Sequence, residues 1–192
     1  MSLSWVACEA RTGRVILDLP DLVVPRVGAV LGSYASATAS LPVVSAPENW
    51  VRATMPRGAL LVLLDDDRPV WGAGITGRTR TAGDTIELTL ATPEAFYLGT
   101  RYVGDLTRTS TGQCQIVADL VSEFVLDGTV PLSVQIVGAD ATTRDRTYEA
   151  AQHKTVLAAL TELSGVIGGP EFTVEWVRDL DAPSVAPLLA NL

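Results

Sequence analysis

The sequence has few of the residues on which metal, redox and acid–base sites are usually built. Its 192 residues include two cysteines and one histidine. Cys8 and Cys114 are far apart and lack C-x-x-C spacing, and zinc needs three or four nitrogen or sulfur ligands. His153 precedes Lys154 at a polar stretch, and no G-x-S-x-G motif accompanies it. We therefore expect two reduced, buried thiols, a surface or capping histidine, no metal site and no cofactor.

Basic runs and long apolar runs are also missing. Lys154 is the only lysine, and 14 basic residues stand against 22 acidic ones, for a net charge of −8. An acidic chain without a basic run is poorly suited to bind nucleic acid through phosphates. No apolar stretch approaches the ~20 residues of a membrane helix, and the first ten residues lack the pattern of a signal peptide. We expect a soluble protein made in a cytoplasm, without specific nucleic-acid binding or membrane insertion.

Hydrophobic residues (47%) and charged residues (19%) occur in proportions typical of a globular protein. The clearest pattern lies between residues 59 and 90. Leu60 to Leu64 form one apolar run, Val70 to Ile75 form a second, and residues 85–90 alternate between polar and apolar. Short reversals separate these runs, so the stretch predicts a three-stranded meander with one buried and one solvated face.

The residues before the meander predict further strands. Ser4 to Leu19 resembles a hairpin whose turn places Gly13 where a positive φ is suitable. Val27 to Thr38 predicts a strand of small residues, and Leu41 to Ala46 predicts a short edge strand, since prolines exclude a central one. Together these segments give six or seven short strands, at the spacing of a sandwich or barrel.

The second half predicts a smaller α+β part. Thr92 to Leu98 predicts one helical turn with proline at its start, and Gln113 to Leu126 predicts a helix with one apolar stripe. A second helix is expected from the N-cap Thr155 to Ser164, with Gly165 as a left-handed C-cap. The intervening segments predict strands at Tyr102–Thr107, Leu132–Val137, Thr147–Glu149 and Glu171–Val177, and a polar reversal at Thr142–Arg146.

Four groups of residues are candidates for a site. Asp65-Asp66-Asp67 is the densest acidic cluster, but no Asp-x-Asp-x-Asp loop with a distal Glu follows, so we interpret it as a solvated hairpin tip. Gly72-Ala73-Gly74 lies within a strand pattern and indicates a bulge or the close approach of another backbone rather than a phosphate loop. The candidate carboxylates for glycoside hydrolysis are Glu94, Glu171 and Glu175, and the candidate sugar-stacking rings are Trp5, Trp50, Trp71 and Trp176.

Nothing in the sequence selects a pair among these carboxylates, and tryptophans distributed over strands belong more often to a core than to a sugar site. The residues alone therefore predict no enzyme.

Several segments, in their order along the chain, resemble a known family. The segments are Leu61–Ile75, Gly83–Leu90, Tyr97-Leu98 with Arg101, Thr155–Leu163 and Gly168–Val174. This order is similar to that of the minor tail proteins of long-tailed phages that infect actinobacteria, within the broad tail-hub (baseplate-hub) family. The resemblance covers most of Leu60 to Trp176, and it is a pattern of strands, turns and one helix rather than a catalytic signature.

The resemblance implies a mainly β (α+β) fold. It implies a tail-tube-like antiparallel β-barrel over residues 1–98, an inserted α/β segment with two helices over 99–170, and a strand over 171–192 that returns to the barrel. Family members usually carry a second related barrel. Because this chain ends soon after the Trp176 strand, we expect the parent polypeptide to continue.

The resemblance further implies a homotrimeric ring below the tail tube, in the tail tip of a virion assembled in the host cytoplasm. Its neighbours would be the tail tube or distal tail protein and tip proteins. We thus predict a structural, non-enzymatic hub that lines the DNA channel, where net acidity suits a wall past which DNA slides. The predicted contacts between subunits are Asp65, Asp66, Asp67, Arg68 and Trp71.

Two alternatives belong to other functional classes. The first is a receptor- or carbohydrate-binding β-domain at the tail tip, with exposed Trp50 or Trp71 stacking on sugar. The second is a fragment of a tail-associated hydrolase whose catalytic part lies outside these residues.

Overall fold

The chain folds mainly into antiparallel strands, which confirms the mainly β (α+β) class. The computed structural model describes residues 2–81, 83–137, 142–179 and 184–191. The strands are β1 (Leu3–Glu9), β2 (Val15–Asp18), β3 (Ser36–Pro42), β4 (Ala59–Asp65), β5 (Arg68–Thr81), β6 (Thr85–Ala91), β7 (Leu106–Gly112), β8 (Ser133–Ile136), β9 (Thr143–Tyr148), β10 (Phe172–Asp179) and β11 (Ser184–Asn191). The helices are α1 (Trp50–Ala53), α2 (Pro93–Phe96), α3 (Gln113–Phe124) and α4 (Val156–Ser164), with 3₁₀ turns at Leu98–Thr100 and Ala150–Gln152.

The largest sheet has six strands in the order β2-β1-β4-β5-β6-β3. Each neighbouring pair is antiparallel. Strands β2 and β3 form its two edges, and within the described residues they do not pair with each other. The sheet is therefore open, and the closed barrel implied by the resemblance is not found. The predicted boundaries at 1–98, 99–170 and 171–192 stay predictions.

The meander is confirmed as β4, β5 and β6. Between β4 and β5, Asp66 and Asp67 both have positive φ, at 47° and 71°, as in the tight turns that suit strand twist. In β6 the apolar residues Ile86, Leu88 and Leu90 are buried, while Glu87 and Thr89 are exposed. The period of two seen in the sequence is thus the period of burial.

The six-stranded sheet separates two hydrophobic cores. On one side it packs against α3, α4 and the sheet that contains β10 and β11, and β4 contributes Leu60, Val62 and Leu64 to that core. On the other side β4 contributes Leu61 and Leu63 to a core shared with β3, β5, β6 and α1. Because both faces of β4 are covered, its sequence is a continuous apolar run rather than an alternation.

The second half of the chain forms two small sheets. Strands β10, β11 and β8 lie in that order, with β11 antiparallel to β10 and parallel to β8. Strand β7 pairs with β9 in a separate two-stranded sheet. The apolar stripe of α3 is buried as predicted, and Thr155 caps α4 by accepting a hydrogen bond from the Ala158 amide. None of the helices in the described ranges is long and apolar enough to cross a membrane.

Several predicted boundaries in the first half are wrong. Two strands were predicted here, at Val27–Thr38 and at Leu41–Ala46, but the structure has one, β3, which spans the end of the first and the start of the second. Residues 27–35 precede β3 and belong to no strand. Residues 48–54, for which the sequence predicted no element, contain the short helix α1, and its N-cap Asn49 has a left-handed conformation.

The differences in the second half lie in its polar strands and turns. The strand predicted at Tyr102–Thr107 begins only at Leu106, and the predicted reversal at Thr142–Arg146 lies largely in β9. Residues 184–191 form a separate strand, β11, which the sequence pattern did not predict. Gly165 ends α4 with φ −76° rather than a positive value, and Gly168, at +68°, has the left-handed conformation instead.

Candidate assembly surfaces

The acidic hairpin tip, residues 65–68, is an exposed and well-anchored projection. Asp66, Asp67 and Arg68 are exposed, and Asp65 is partly buried. The Ser2 amide donates to Asp66 Oδ1 at 2.8 Å, and the Asp66 amide donates to the Ser2 carbonyl at 3.1 Å. The Arg178 guanidinium on β10 donates to the Asp67 carbonyl at 2.8 Å and to its carboxylate at 3.0 Å. The prediction of a hairpin tip is confirmed.

Trp71 lies apart from this tip, inside the core. Its side chain is 8% exposed, and its indole N–H donates to the Gly28 carbonyl at 2.8 Å. Its ring meets Trp5 edge to face, with ring centroids 5.9 Å apart. The structure thus gathers Asp65, Asp66, Asp67 and Arg68 at one surface and leaves Trp71 out of it. The role of these five residues between subunits stays a prediction.

The tryptophans do not form a sugar-binding platform. Trp71 is buried, so the carbohydrate-binding alternative, which needs an exposed Trp50 or Trp71, has no ring face of Trp71 to use. Trp50 is half-buried, and the Arg78 guanidinium lies 5.8 Å from the centroid of its ring. Trp176 packs over Gly72, where an added Cβ would lie 2.4 Å from Trp176 Cζ2. The close approach is thus made by aromatic side chains, Trp176 over Gly72 and Phe96 over Gly74, and not by another backbone as the sequence had indicated.

The other candidate groups are spread over the molecule. Glu94 is buried, and burial raises the pKa of its carboxyl, against the opposing effect of the Thr92 hydroxyl. Glu171 and Glu175 are exposed, so the three carboxylates do not share one buried site. His153 is exposed and ends a 3₁₀ turn. In the described residues, no group of three His, Cys, Asp or Glu side chains is arranged to hold a metal ion.

The two cysteines are buried, as predicted. Burial raises the pKa of the Cys8 thiol to about 12. A thiol with so high a pKa stays protonated at neutral pH, and the protonated form is a poor nucleophile and a poor metal ligand.

A surface that the sequence did not reveal is the outer edge of β3. Val23 and Ser40 exchange backbone hydrogen bonds of 2.9 and 2.8 Å there, so the even-numbered residues of β3 direct their N–H and C=O groups away from β6. Ser36 and Thr38 have the same orientation. In the described part of the chain, no backbone segment pairs with them on that side.

An exposed apolar segment, residues 23–34, lies next to this edge. A groove of about 540 Å³ separates residues 25–30 from residues 35–38. The exposed apolar side chains of the segment, each 37–55% exposed, are Val23, Val27, Val30, Leu31 and Tyr34. The sequence pattern did show small residues here, and it predicted a strand against which something else packs closely, either in a ring interface or in a crowded core. The direction of the edge hydrogen bonds cannot be read from composition.

No family model and no curated protein matches the chain. Among solved structures it is similar to an Escherichia coli component of the type VI secretion system, described as structurally similar to the T4 bacteriophage tail proteins gp27 and gp5. The identity is 10% and the TM-score 0.47, over 88% of this chain and 48% of that one.

Two further similar structures are tail proteins. One is the 43 kDa tail protein of prophage MuSo2 from Shewanella oneidensis, at 9% identity and TM-score 0.44, over 98% of this chain and 48% of that one. The other is a tail protein from Neisseria meningitidis MC58, at 12% identity and TM-score 0.47, over 97% and 46%.

The chain spans about half the length of these solved structures. At such identities and TM-scores the similarities assign no function to it, and none of them supports the actinobacterial part of the resemblance.

Proposed function

We propose that the chain is a structural subunit of a phage tail tip, or of a related injection machine, that acts by assembly rather than by catalysis. The observation that carries this proposal is the open edge of β3 beside the exposed apolar segment 23–34. In the finer form of the proposal, three copies form a hub ring below the tail tube and contact tail-tube and tip proteins of the virion.

An open strand edge is suited to assembly because its unpaired N–H and C=O groups can pair with a strand of another chain. Here Ser36 and Thr38 supply these groups. The neighbouring groove and the exposed apolar side chains add a surface that gains free energy when covered. Soluble monomers usually blunt such edges with lysine or proline. Over residues 36–41 β3 has neither, and Pro42 lies only at its end.

The test is to block the edge without disturbing the sheet. Thr38→Pro removes an outward N–H, while the β3–β6 hydrogen bonds use the odd-numbered residues of β3. Thr38→Lys is a second variant that adds a charge at the edge. We expect the wild-type chain to form oligomers in sedimentation and native mass measurements, and both variants to be folded monomers.

Thr107→Lys is the matched control, because Thr107 is an exposed threonine in a strand of another sheet. This variant should assemble like the wild type. A wild-type chain that is monomeric at all concentrations and binds glycans would contradict assembly and favour the carbohydrate-binding alternative. A murein-degradation assay tests the hydrolase alternative.

The proposal includes a surface for the DNA channel. The solvated face of β3, β5 and β6 carries small hydroxyl side chains, and Thr38, Ser40, Thr79 and Thr89 line one shallow pocket there with Glu87. Such a face has little with which to hold a phosphate backbone. If it faces the channel, Glu87→Arg should slow DNA ejection from phage particles, whereas Glu87→Gln should not. Unchanged ejection in the arginine variant would contradict this placement.

A further inference from the structure

A second surface with a distinct chemistry lies at the other end of β1 and β4 from the acidic tip. Three arginines, Arg11, Arg57 and Arg101, line one pocket of about 230 Å³. Tyr97, Thr100 and Thr129 complete its polar wall. We call this the arginine pocket. Cationic side chains that line one pocket repel one another, and negative charge opposite them relieves this repulsion.

The arginine pocket carries an excess of positive charge. Arg101 donates to the Asp127 carboxylate at 2.8 Å, so one of the three charges is balanced within the chain. The ion pairs found among the described residues involve neither Arg11 nor Arg57. Three arginines less Asp127 leave an excess of two charges. Two guanidinium groups, each with five N–H donors, are therefore available to an anion.

The backbone around the pocket is fixed. The Tyr97 hydroxyl donates to the Ala10 carbonyl at 2.6 Å and closes the pocket floor. The Arg57 amide donates to the Ile75 carbonyl at 2.8 Å, which holds Arg57 at φ 62°. Arg11 lies in the turn that the Gly13 amide closes by donating to the Glu9 carbonyl at 2.8 Å. Anchored backbones reduce the ordering that binding requires of these long side chains.

We propose that the arginine pocket binds the carboxylates of the acidic hairpin tip of a second copy of this chain. This inference rests on the proposed function, since it adds a second contact between copies. The carboxylate of Asp67 is the best placed, because its side chain is 86% exposed although Arg178 binds it. An arginine and a carboxylate form paired, charge-assisted hydrogen bonds, which a lysine could not match.

The geometry requires two copies. Strands β1 and β4 pair from Leu3 with Asp65 at one end to Glu9 with Ala59 at the other. The six residue steps between these ends span about 20 Å at the usual strand rise. The tip and the arginine pocket of one molecule therefore cannot meet. A contact between them is head-to-tail, the type of contact that closes into a ring when the rotation between copies allows.

The test is a charge exchange measured by sedimentation of the whole chain at low and high salt. Arg11→Glu with Arg57→Glu should weaken self-association at least tenfold at low salt, as should Asp66→Arg with Asp67→Arg. A chain that carries all four substitutions should recover most of the loss. The single variant Arg11→Glu, on an exposed turn, should weaken self-association in the same direction but by a smaller factor. It keeps the test interpretable if the double variant does not fold.

Arg14→Glu is the control, because Arg14 is exposed in the same turn but does not line the pocket. This variant should associate like the wild type. Association that Thr38→Pro abolishes but the pocket variants leave unchanged would overturn the arginine pocket and leave the proposed function standing. Calorimetric binding of inorganic phosphate that the pocket variants abolish, with self-association unchanged, would likewise overturn it and assign the pocket to a small anion.

Discussion

Two glycines of β5 lie where aromatic rings cross the strand. The Trp176 ring covers Gly72, and the Phe96 ring covers Gly74 so closely that an added Cβ would lie 2.1 Å from Phe96 Cδ2. A ring is stiff, and it cannot give way as the end of a long side chain would. These positions therefore tolerate only glycine, and for steric rather than conformational reasons, since neither has a positive φ.

Gly74→Ala should lower the free energy of unfolding by about 1–3 kcal/mol, the usual range for overpacking a core. Gly28→Ala is the matched control, because a Cβ there meets nothing within 4 Å. Urea unfolding of both variants measures the difference. A stability equal to that of the wild type in Gly74→Ala would show that the Phe96 ring is free to move.

Glu94 makes folding depend on pH. Burial raises the pKa of its carboxyl above the ordinary value of 4.5. A carboxyl with a higher pKa in the folded state binds more protons when folded, so stability falls as the pH rises from 4.5 through the folded-state pKa. Glu94→Gln removes this loss. We expect it to melt at a higher temperature than the wild type at pH 7.

The advantage of Glu94→Gln should shrink as the pH falls below 4.5, where the wild-type carboxyl is protonated in both states. Thermal unfolding at pH 4 and pH 7 measures it. Glu175→Gln, at an exposed site, is the control and should show little difference at either pH. A wild type that melts higher than Glu94→Gln at pH 7 would contradict the sign.

At the scale of elements, the sequence predicted most of those with a clear apolar run or stripe and missed polar strands such as β9, together with the proline-containing strand β11. The meander and the first hairpin have apolar runs or alternation, α3 and α4 have apolar stripes, and the sequence predicts each of them. Strand β9, with the sequence TRDRTY, has no such period. Strand β11 contains Pro187, which has no N–H to donate. Strand β8 pairs only with residues 188–191 of β11, so this pairing requires no hydrogen bond from Pro187.

The candidate surfaces follow the same division. The hairpin tip is contiguous, and sequence alone predicted it. The three arginines of the pocket are more than forty positions apart from one to the next, and only the pairing of β1 with β4 and the position of α2 bring them together. Such a group has no local pattern in the sequence.

Helix α4 owes part of its stability to Thr155, the residue that caps its start. The Ala158 amide donates to Thr155 Oγ1 at 3.2 Å, which satisfies one of the free amides at the start of the helix. Thr155→Ala should cost about 1 kcal/mol, whereas Thr155→Ser should retain most of the cap. Urea unfolding compares the two. Equal losses would mean that the methyl group of Thr155, and not its hydroxyl, is responsible.

At the scale of the whole molecule, one sheet carries a core on each face. Because β4 contributes to both cores, neither can form fully without it. The helices α3 and α4 pack on one side, and Trp5 and Trp71 belong to the other. The two halves identified in the sequence therefore depend on each other for stability.

Leu61→Ala, on the tryptophan side of β4, should lower the free energy of unfolding by about 2–5 kcal/mol. We expect tryptophan fluorescence, which reports mainly on one core, and helical circular dichroism, which reports on the other, to shift together. Two separate transitions would show that the cores unfold independently. Val51→Ala, at an exposed position of α1, is the control and should change little.

The order of the strands also determines when β4 acquires its neighbours during folding. Strands β5 and β6 follow β4 through short turns, whereas β1 must return across about fifty residues, from Glu9 to Ala59. Closing so long a loop costs more entropy, and distant pairings form slowly. Until β1 arrives, one edge of the apolar strand β4 is uncovered. Refolding yield should therefore fall as protein concentration rises, and amides of β5 should gain protection from hydrogen exchange before those of β1.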